Sequence, residues 1–192
     1  VLNSVHRYLG DVEQPPIMNC EPEPAFDGTP SLQQMTDVAL RNLSHDNGEG
    51  FFLMIESASI DKKAHERKPC GSIGELEQLE EALASALAFT ETQPDTLVLV
   101  TADHSQAAQL IPYESLFARY PIPTFSPGKV ARIRTPEGSV MVVNYATTNF
   151  VMEEHTGANV PVFGNEAAVG YVPPFTRQPD LFELMRDYLD LN

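Results

Sequence analysis

The chain has 192 residues, 42% of them apolar, and a formal net charge of −15. That length allows one domain or a large part of one, with enough apolar material for a real core, and the acidic balance argues against nucleic acid as a partner. No run of eighteen apolar residues occurs, so no membrane span is expected. An acidic surface also repels anionic substrates at long range, so any anion site must rely on local positive charge such as a metal ion. The carboxylate excess suits a salt-rich habitat or plain solubility equally well. The chain starts at Val1 rather than Met, which suggests a processed product or an internal piece of a longer chain.

Val1 to Phe26 is rich in Pro, Glu and Asn without sustained period and reads as a connecting segment. Thr29-Pro30 is a helix start, a capping hydroxyl followed by proline at the first helical position. The stripe Leu32, Met35, Ala39 and Leu43 continues that helix, and Asn47-Gly48 ends it. Phe51 to Ile55 is an apolar run of strand length. Ile73 to Thr92 predicts a surface helix with Leu76, Leu79, Leu83 and Leu87 on one face, and its glutamates form a solvated face. Gln93-Pro94-Asp95 stops it. Thr96 to Ala102 predicts a strand, and its aliphatic run Leu97 to Val100 has the look of a strand covered on both faces, as in a parallel sheet. This alternation of helix and strand predicts an α/β fold with a mostly parallel central sheet flanked by helices.

Ile111 to Gly128 holds four prolines and four aromatics and reads as a loop-rich insertion, roughly 111–130. Val130 to Arg134 and Ser139 to Tyr145 flank the turn sequence Thr135-Pro136-Glu137-Gly138 and predict a small antiparallel hairpin. Val160 to Phe163 is a further short strand. Pro179-Asp180 opens a last helix with Leu181, Leu184, Met185 and Tyr188 on one face.

Three clusters of metal-ligating side chains punctuate these elements. After the first apolar run come Glu56, Asp61 and His65. Asp61 and His65 are four residues apart, so in a helical turn they share a face and form half of a divalent-metal site. Taken alone, such a pair is equally a solvated helix face. The strand at Thr96 to Ala102 ends in Asp103 and His104, at the carboxyl edge where open α/β sheets place ligands. His155 follows a strand-like run within Glu153 to Gly157. His6 and His45 lie at no such position and read as surface residues. Carboxylates and imidazoles without thiolate suit catalytic zinc.

Three motifs give the chain a resemblance to the alkaline phosphatase family: E-S-A-S-I-D-K-K-A-H (Glu56 to His65), T-A-D-H (Thr101 to His104) and H-T-G (His155 to Gly157). The first, with its flanking GFFL and the later PCG, carries most of the specificity. The resemblance runs from about Cys20 to the C-terminus. It implies two zinc ions and one magnesium ion: Asp61, His65 and His155 match the ligands of one zinc, Asp103 and His104 part of the second set, and Glu56 a magnesium ligand. Lys62 matches a lysine that orients phosphate, though a plain surface lysine is an equally fair reading. It also places the loop-rich insertion over the active-site mouth or at a subunit contact. The residues alone leave Cys20 and Cys70 as one pair or as two free thiols. The resemblance favours the pair, and with it a periplasmic or secreted enzyme and a homodimer.

The family's nucleophile is a serine in an Asp-Ser-Ala context, backed by an arginine that forks the phosphate, and no Asp-Ser-Ala occurs here. Ser57 and Ser59 belong to the ligand motif and match no nucleophile. Residues 1–192 therefore resemble the C-terminal part of a single catalytic domain, incomplete without upstream sequence. The expected activity is phosphate monoester hydrolysis through a phosphoserine. Ala64 and Gln106 stand where well-known bacterial members carry an Asp and a His near the metals. The alternatives are another two-metal superfamily member, a phosphodiesterase or sulfatase, and a non-catalytic zinc-binding module whose acidic surface recruits a basic partner.

Overall fold

A computed structural model describes residues 16–21, 28–111, 130–145 and 150–191. In chain order the elements are β1 (Ile17–Met18), α1 (Leu32–Ser44), α2 (Ser59–His65), α3 (Pro69–Thr92), β2 (Leu99–Thr101), β3 (Ser105–Gln106) and β4 (Gln109–Ile111), then β5 (Val130–Arg134), β6 (Val140–Asn144), β7 (His155–Thr156), β8 (Val162–Gly164), a 3-10 turn (Glu166–Ala168) and α4 (Gln178–Tyr188). The fold is α/β. The described residues of Val1–Ala25, Ala58–Leu76 and Gln106–Gly157 make one unit, and those of Phe26–Ser57, Glu77–Ser105 and Ala158–Asn192 a second. The insertion expected at 111–130 and His6 fall almost wholly or wholly outside the described residues.

In the first unit the predicted hairpin forms: β5 and β6 pair antiparallel, Val130 opposite Asn144 and Arg134 opposite Val140. The turn closes through Gly138, at φ +85°, whose N–H donates to the Thr135 carbonyl at 2.9 Å. This conformation suits glycine because it has no Cβ. β4 adds antiparallel to β6, and β1 adds parallel to β5, giving the order β1-β5-β6-β4. Val142 and Val143 are adjacent and both buried. Successive strand residues point to opposite faces, so β6 is covered on both sides.

Cys20 and Cys70 are joined by a disulfide, with Cα atoms 5.1 Å apart and a sequence separation of 50. Cys70 lies in the first turn of α3, so the bond braces the corner that follows α2. Gly71 lets that corner close, because a Cβ there would press on the Lys63 side chain at 3.0 Å. Cross-linking a loop of this length removes denatured-state entropy worth about 4 kcal/mol in the chain-entropy model. The double change Cys20→Ser with Cys70→Ser is expected to lower stability by that order, read as a reduced urea midpoint. A loss below about 1 kcal/mol would mean that the denatured chain is already constrained there.

In the second unit α1 starts two residues later than the sequence signal. Ser31, not Thr29, is the cap: its Oγ accepts from Gln34 N–H (3.2 Å) while Gln34 Oε1 accepts from Ser31 N–H (3.0 Å). This reciprocal box satisfies two otherwise orphaned donors, which a lone hydroxyl before proline cannot do. Asn47 closes the far end, its Nδ2 donating to the Leu43 carbonyl. The buried stripe also differs from expectation. Thr36 is buried and Met35 is half exposed. The Thr36 hydroxyl donates to the Leu32 carbonyl at 2.8 Å, so it enters the interior satisfied.

α3 buries Ala82 most deeply, whereas Leu76 and Leu87 of the predicted face are exposed. α4 follows its prediction: Leu181, Leu184, Met185 and Tyr188 are half-buried, and Tyr188 donates to the Asp95 carbonyl at 2.7 Å. Phe51 to Ile55 alternates half-buried and exposed residues as a strand would, yet it pairs with no strand among the described residues. The run at Thr96 to Ala102 shortens to β2. It pairs antiparallel with β8, not with a parallel neighbour, Leu99 opposite Gly164. Asn165 extends that ladder by accepting from Val98 N–H (3.1 Å) and donating to the Thr96 carbonyl (2.8 Å). Gly164 is required at this register, since a Cβ there would overlap the Ala168 methyl.

Candidate metal centre

Helix α2 and the short strand β7 build one cluster in the first unit. Asp61 and His65 project from the same face of α2, Asp61 Oδ1 lying 3.3 Å from His65 Nε2. His155, at the start of β7, brings its Nε2 to 3.2 Å from Asp61 Oδ1 and 2.9 Å from His65 Nε2. The two imidazole rings lie 4.7 Å apart, tilted by 42°.

One hydrogen bond fixes the chemistry of His65. Its Nδ1 lies 2.5 Å from the Glu153 carbonyl oxygen. A carbonyl only accepts, so Nδ1 carries the proton and the neutral ring keeps its lone pair on Nε2. That lone pair faces the Asp61 carboxylate and the second imidazole. Electron-pair donors crowded this closely repel one another unless a proton or a cation lies among them. Ligands about 2.0 Å from a tetrahedral zinc sit roughly 3.3 Å from each other. The three separations here, 2.9 to 3.3 Å, are of that size. The donor set of one carboxylate and two imidazoles therefore fits a zinc ion. The side chains of Asp61 and His155 retain 40% and 47% of their exposure, which leaves a side open to water or substrate.

Gln106 donates through Nε2 to Asp61 Oδ1, which aligns the carboxylate. Arg67 and Glu153, which sequence reasoning missed, form a buried ion pair at 2.9 Å behind the histidines. The run Glu153-Glu154-His155 was visible, but nothing in it distinguishes the buried carboxylate from its exposed neighbour. Burial pushes the Tyr145 phenol up to about 12, with the nearby Glu153 charge adding to the shift. Lys62 is exposed on α2, one residue from Asp61.

Glu56, Asp103 and His104 belong to the second unit. Asp103 and His104 follow the carboxyl end of β2, as expected, with His104 Nε2 3.6 Å from Asp103 Oδ2. Gln178 of α4 ties this turn by donating to the Asp103 carbonyl. Glu56 is exposed at the end of the extended run.

A model of the alkaline phosphatase family matches residues 8–168. The chain is similar to alkaline phosphatase of Escherichia coli, 39% identical over 185 residues, which is 96% of this chain and 37% of that protein. It is 38% identical to alkaline phosphatase H of Pseudomonas aeruginosa over the same shares of each chain. Streptomycin-6-phosphate phosphatase of Streptomyces griseus is 43% identical over 142 residues, 70% of this chain and 30% of that protein. The chain thus spans 37% or less of the length of these curated relatives. A solved structure of a mutant TAB5 alkaline phosphatase with Mg bound shares the fold, with a TM-score of 0.58 at 22% identity over 84% of this chain and 42% of that one.

Proposed function

This chain belongs to the alkaline phosphatase family, and from that premise we propose that it supplies the metal-binding part of a site that hydrolyses phosphate monoesters. It acts as the C-terminal part of one catalytic domain, and the upstream part of the same enzyme brings the serine that is phosphorylated in turn. The observation that carries this reading is the convergence of Asp61 Oδ1, His65 Nε2 and His155 Nε2 within 3.3 Å.

Asp61, His65 and His155 hold one zinc ion, Asp103 and His104 contribute to a second, and Glu56 contributes to a magnesium site. When bound, the metals supply Lewis acidity that offsets charge on the attacking and leaving oxygens of the phosphoryl group. The chain's own residues prepare for this. The Glu153 carbonyl holds the His65 proton on Nδ1, so Nε2 is ready to bind without first losing a proton. Gln106 keeps Asp61 turned towards the histidines. Lys62 orients the phosphate from the exposed flank of α2. The disulfide supports a periplasmic or secreted protein, since such bonds persist in oxidising compartments. The resemblance supports a homodimer.

Chelation of the complete protein tests this function. Activity on a chromogenic phosphate monoester is expected to fall at least about a hundredfold and to return with zinc and magnesium. Activity that survives exhaustive chelation would rule the reading out.

A further inference from the structure

We propose that Arg67 and Glu153 are a positioning pair that sets the distance between His65 and His155. Arg67 lies two residues after His65, and Glu153 lies two residues before His155. The inference rests on the reading of Asp61, His65 and His155 as one metal site.

Helix α2 ends in a left-handed turn. Arg67 has φ +60°, its N–H donates to the Ala64 carbonyl at 2.9 Å, and Lys68 N–H donates to the Lys63 carbonyl at 3.0 Å. This is the Schellman pattern, whose left-handed position is usually glycine. An arginine held there points its guanidinium at the segment leading to His155. Nε donates to Glu153 Oε2 (2.9 Å), Nη1 to the Val151 carbonyl (3.0 Å), and Nη2 to the Phe150 and Met152 carbonyls (both 2.9 Å). One planar fork thus fixes four consecutive residues. Beside it, Glu153 N–H donates to the His65 carbonyl at 3.0 Å while His65 Nδ1 donates to the Glu153 carbonyl.

The two side chains are 7% and 0% exposed. Burying such a pair carries a desolvation penalty that its attraction often fails to recover, so it is weak grounds for stability. Its gain here is geometric. The pair leaves the imidazoles no freedom to drift apart when the site is empty, and partners behind metal ligands affect metal affinity in this way.

The test uses the complete protein and four variants, Arg67→Ala, Arg67→Lys, Glu153→Ala and Glu153→Gln, with His65→Ala as a control. Zinc affinity is read by chelator competition, site geometry by the visible spectrum of bound Co(II), and folding by the melting temperature of the metal-free form. Arg67→Ala and Glu153→Ala are expected to weaken zinc binding about 10- to 100-fold and to change the Co(II) spectrum. Glu153→Gln should stay within about threefold, because its amide oxygen still accepts from Nε. Arg67→Lys should be as weak as Arg67→Ala, because an ammonium cannot span the fork's acceptors. If the alanine variants fail to fold, the contrast between Arg67→Lys and Glu153→Gln decides. A lowered melting temperature with unchanged zinc affinity and Co(II) spectrum would overturn the proposal and leave the metal site standing. Unchanged zinc affinity in His65→Ala would overturn the metal site, and the positioning role with it.

Discussion

Residues 1–192 alone are expected to hydrolyse a phosphate monoester at least about a thousandfold more slowly than the complete enzyme, even with zinc and magnesium added. The chain contains no serine in an Asp-Ser-Ala context. Direct attack by water remains open in principle, since zinc lowers the pKa of bound water to about 7. That route lacks two things here. Asp103 and His104, the residues proposed for a second zinc, are two donors where catalytic sites keep three, so that ion is expected to bind weakly. No residue of this chain is assigned as the bidentate arginine that meets the charge gathering on the phosphoryl group. The measurement is a phosphatase assay on the purified 192 residues and on the complete enzyme, with the Cys20–Cys70 bond checked in both. Comparable metal-dependent rates would mean that the nucleophile is misplaced and that Ser57 or Ser59 must be reconsidered.

His65→Ala and His155→Ala are each expected to lower zinc affinity and activity at least about a hundredfold in the complete protein. His45→Ala should change neither. His65 and His155 supply two of the three donors of the cluster, and catalytic zinc sites keep three protein ligands. Removing one leaves a carboxylate and a single imidazole, too few to compete with water. His45 sits on the surface with 77% of its side chain exposed, near Asp46 at 3.1 Å. Zinc titration of the three variants separates the cases. Equal affinity in all of them would remove Asp61, His65 and His155 as a metal site.

The parts of this protein that were legible in sequence are those fixed by local chemistry. The hairpin was readable because its turn and flanking runs lie within a few residues. The half-buried face of α4 was readable from spacing alone. The pairing of Asp61 with His65 followed from helical pitch, whereas the arrival of His155, 90 residues further on, came only through the resemblance. Helix faces failed where small or hydroxylated residues did the burying. Ala82 and Thr36 are nearly inaccessible, while Leu76, Leu87 and Met35 stay at the surface. Phe51 to Ile55 has strand-like alternation, but a strand is completed by neighbours that no local pattern names. The Arg67–Glu153 pair lay beyond sequence reading for a related reason. A run of charged residues looks solvated until a distant segment offers it a matching set of acceptors.

The position of the disulfide also sets an order of assembly. Synthesis runs from the N-terminal to the C-terminal side, so Cys20, Asp61, His65 and Cys70 all emerge before His155. The covalent bond can close while the last imidazole is still on the ribosome or in transit. A chain arrested between Cys70 and His155 holds both cysteines of the bond and still lacks the His155 imidazole of the cluster.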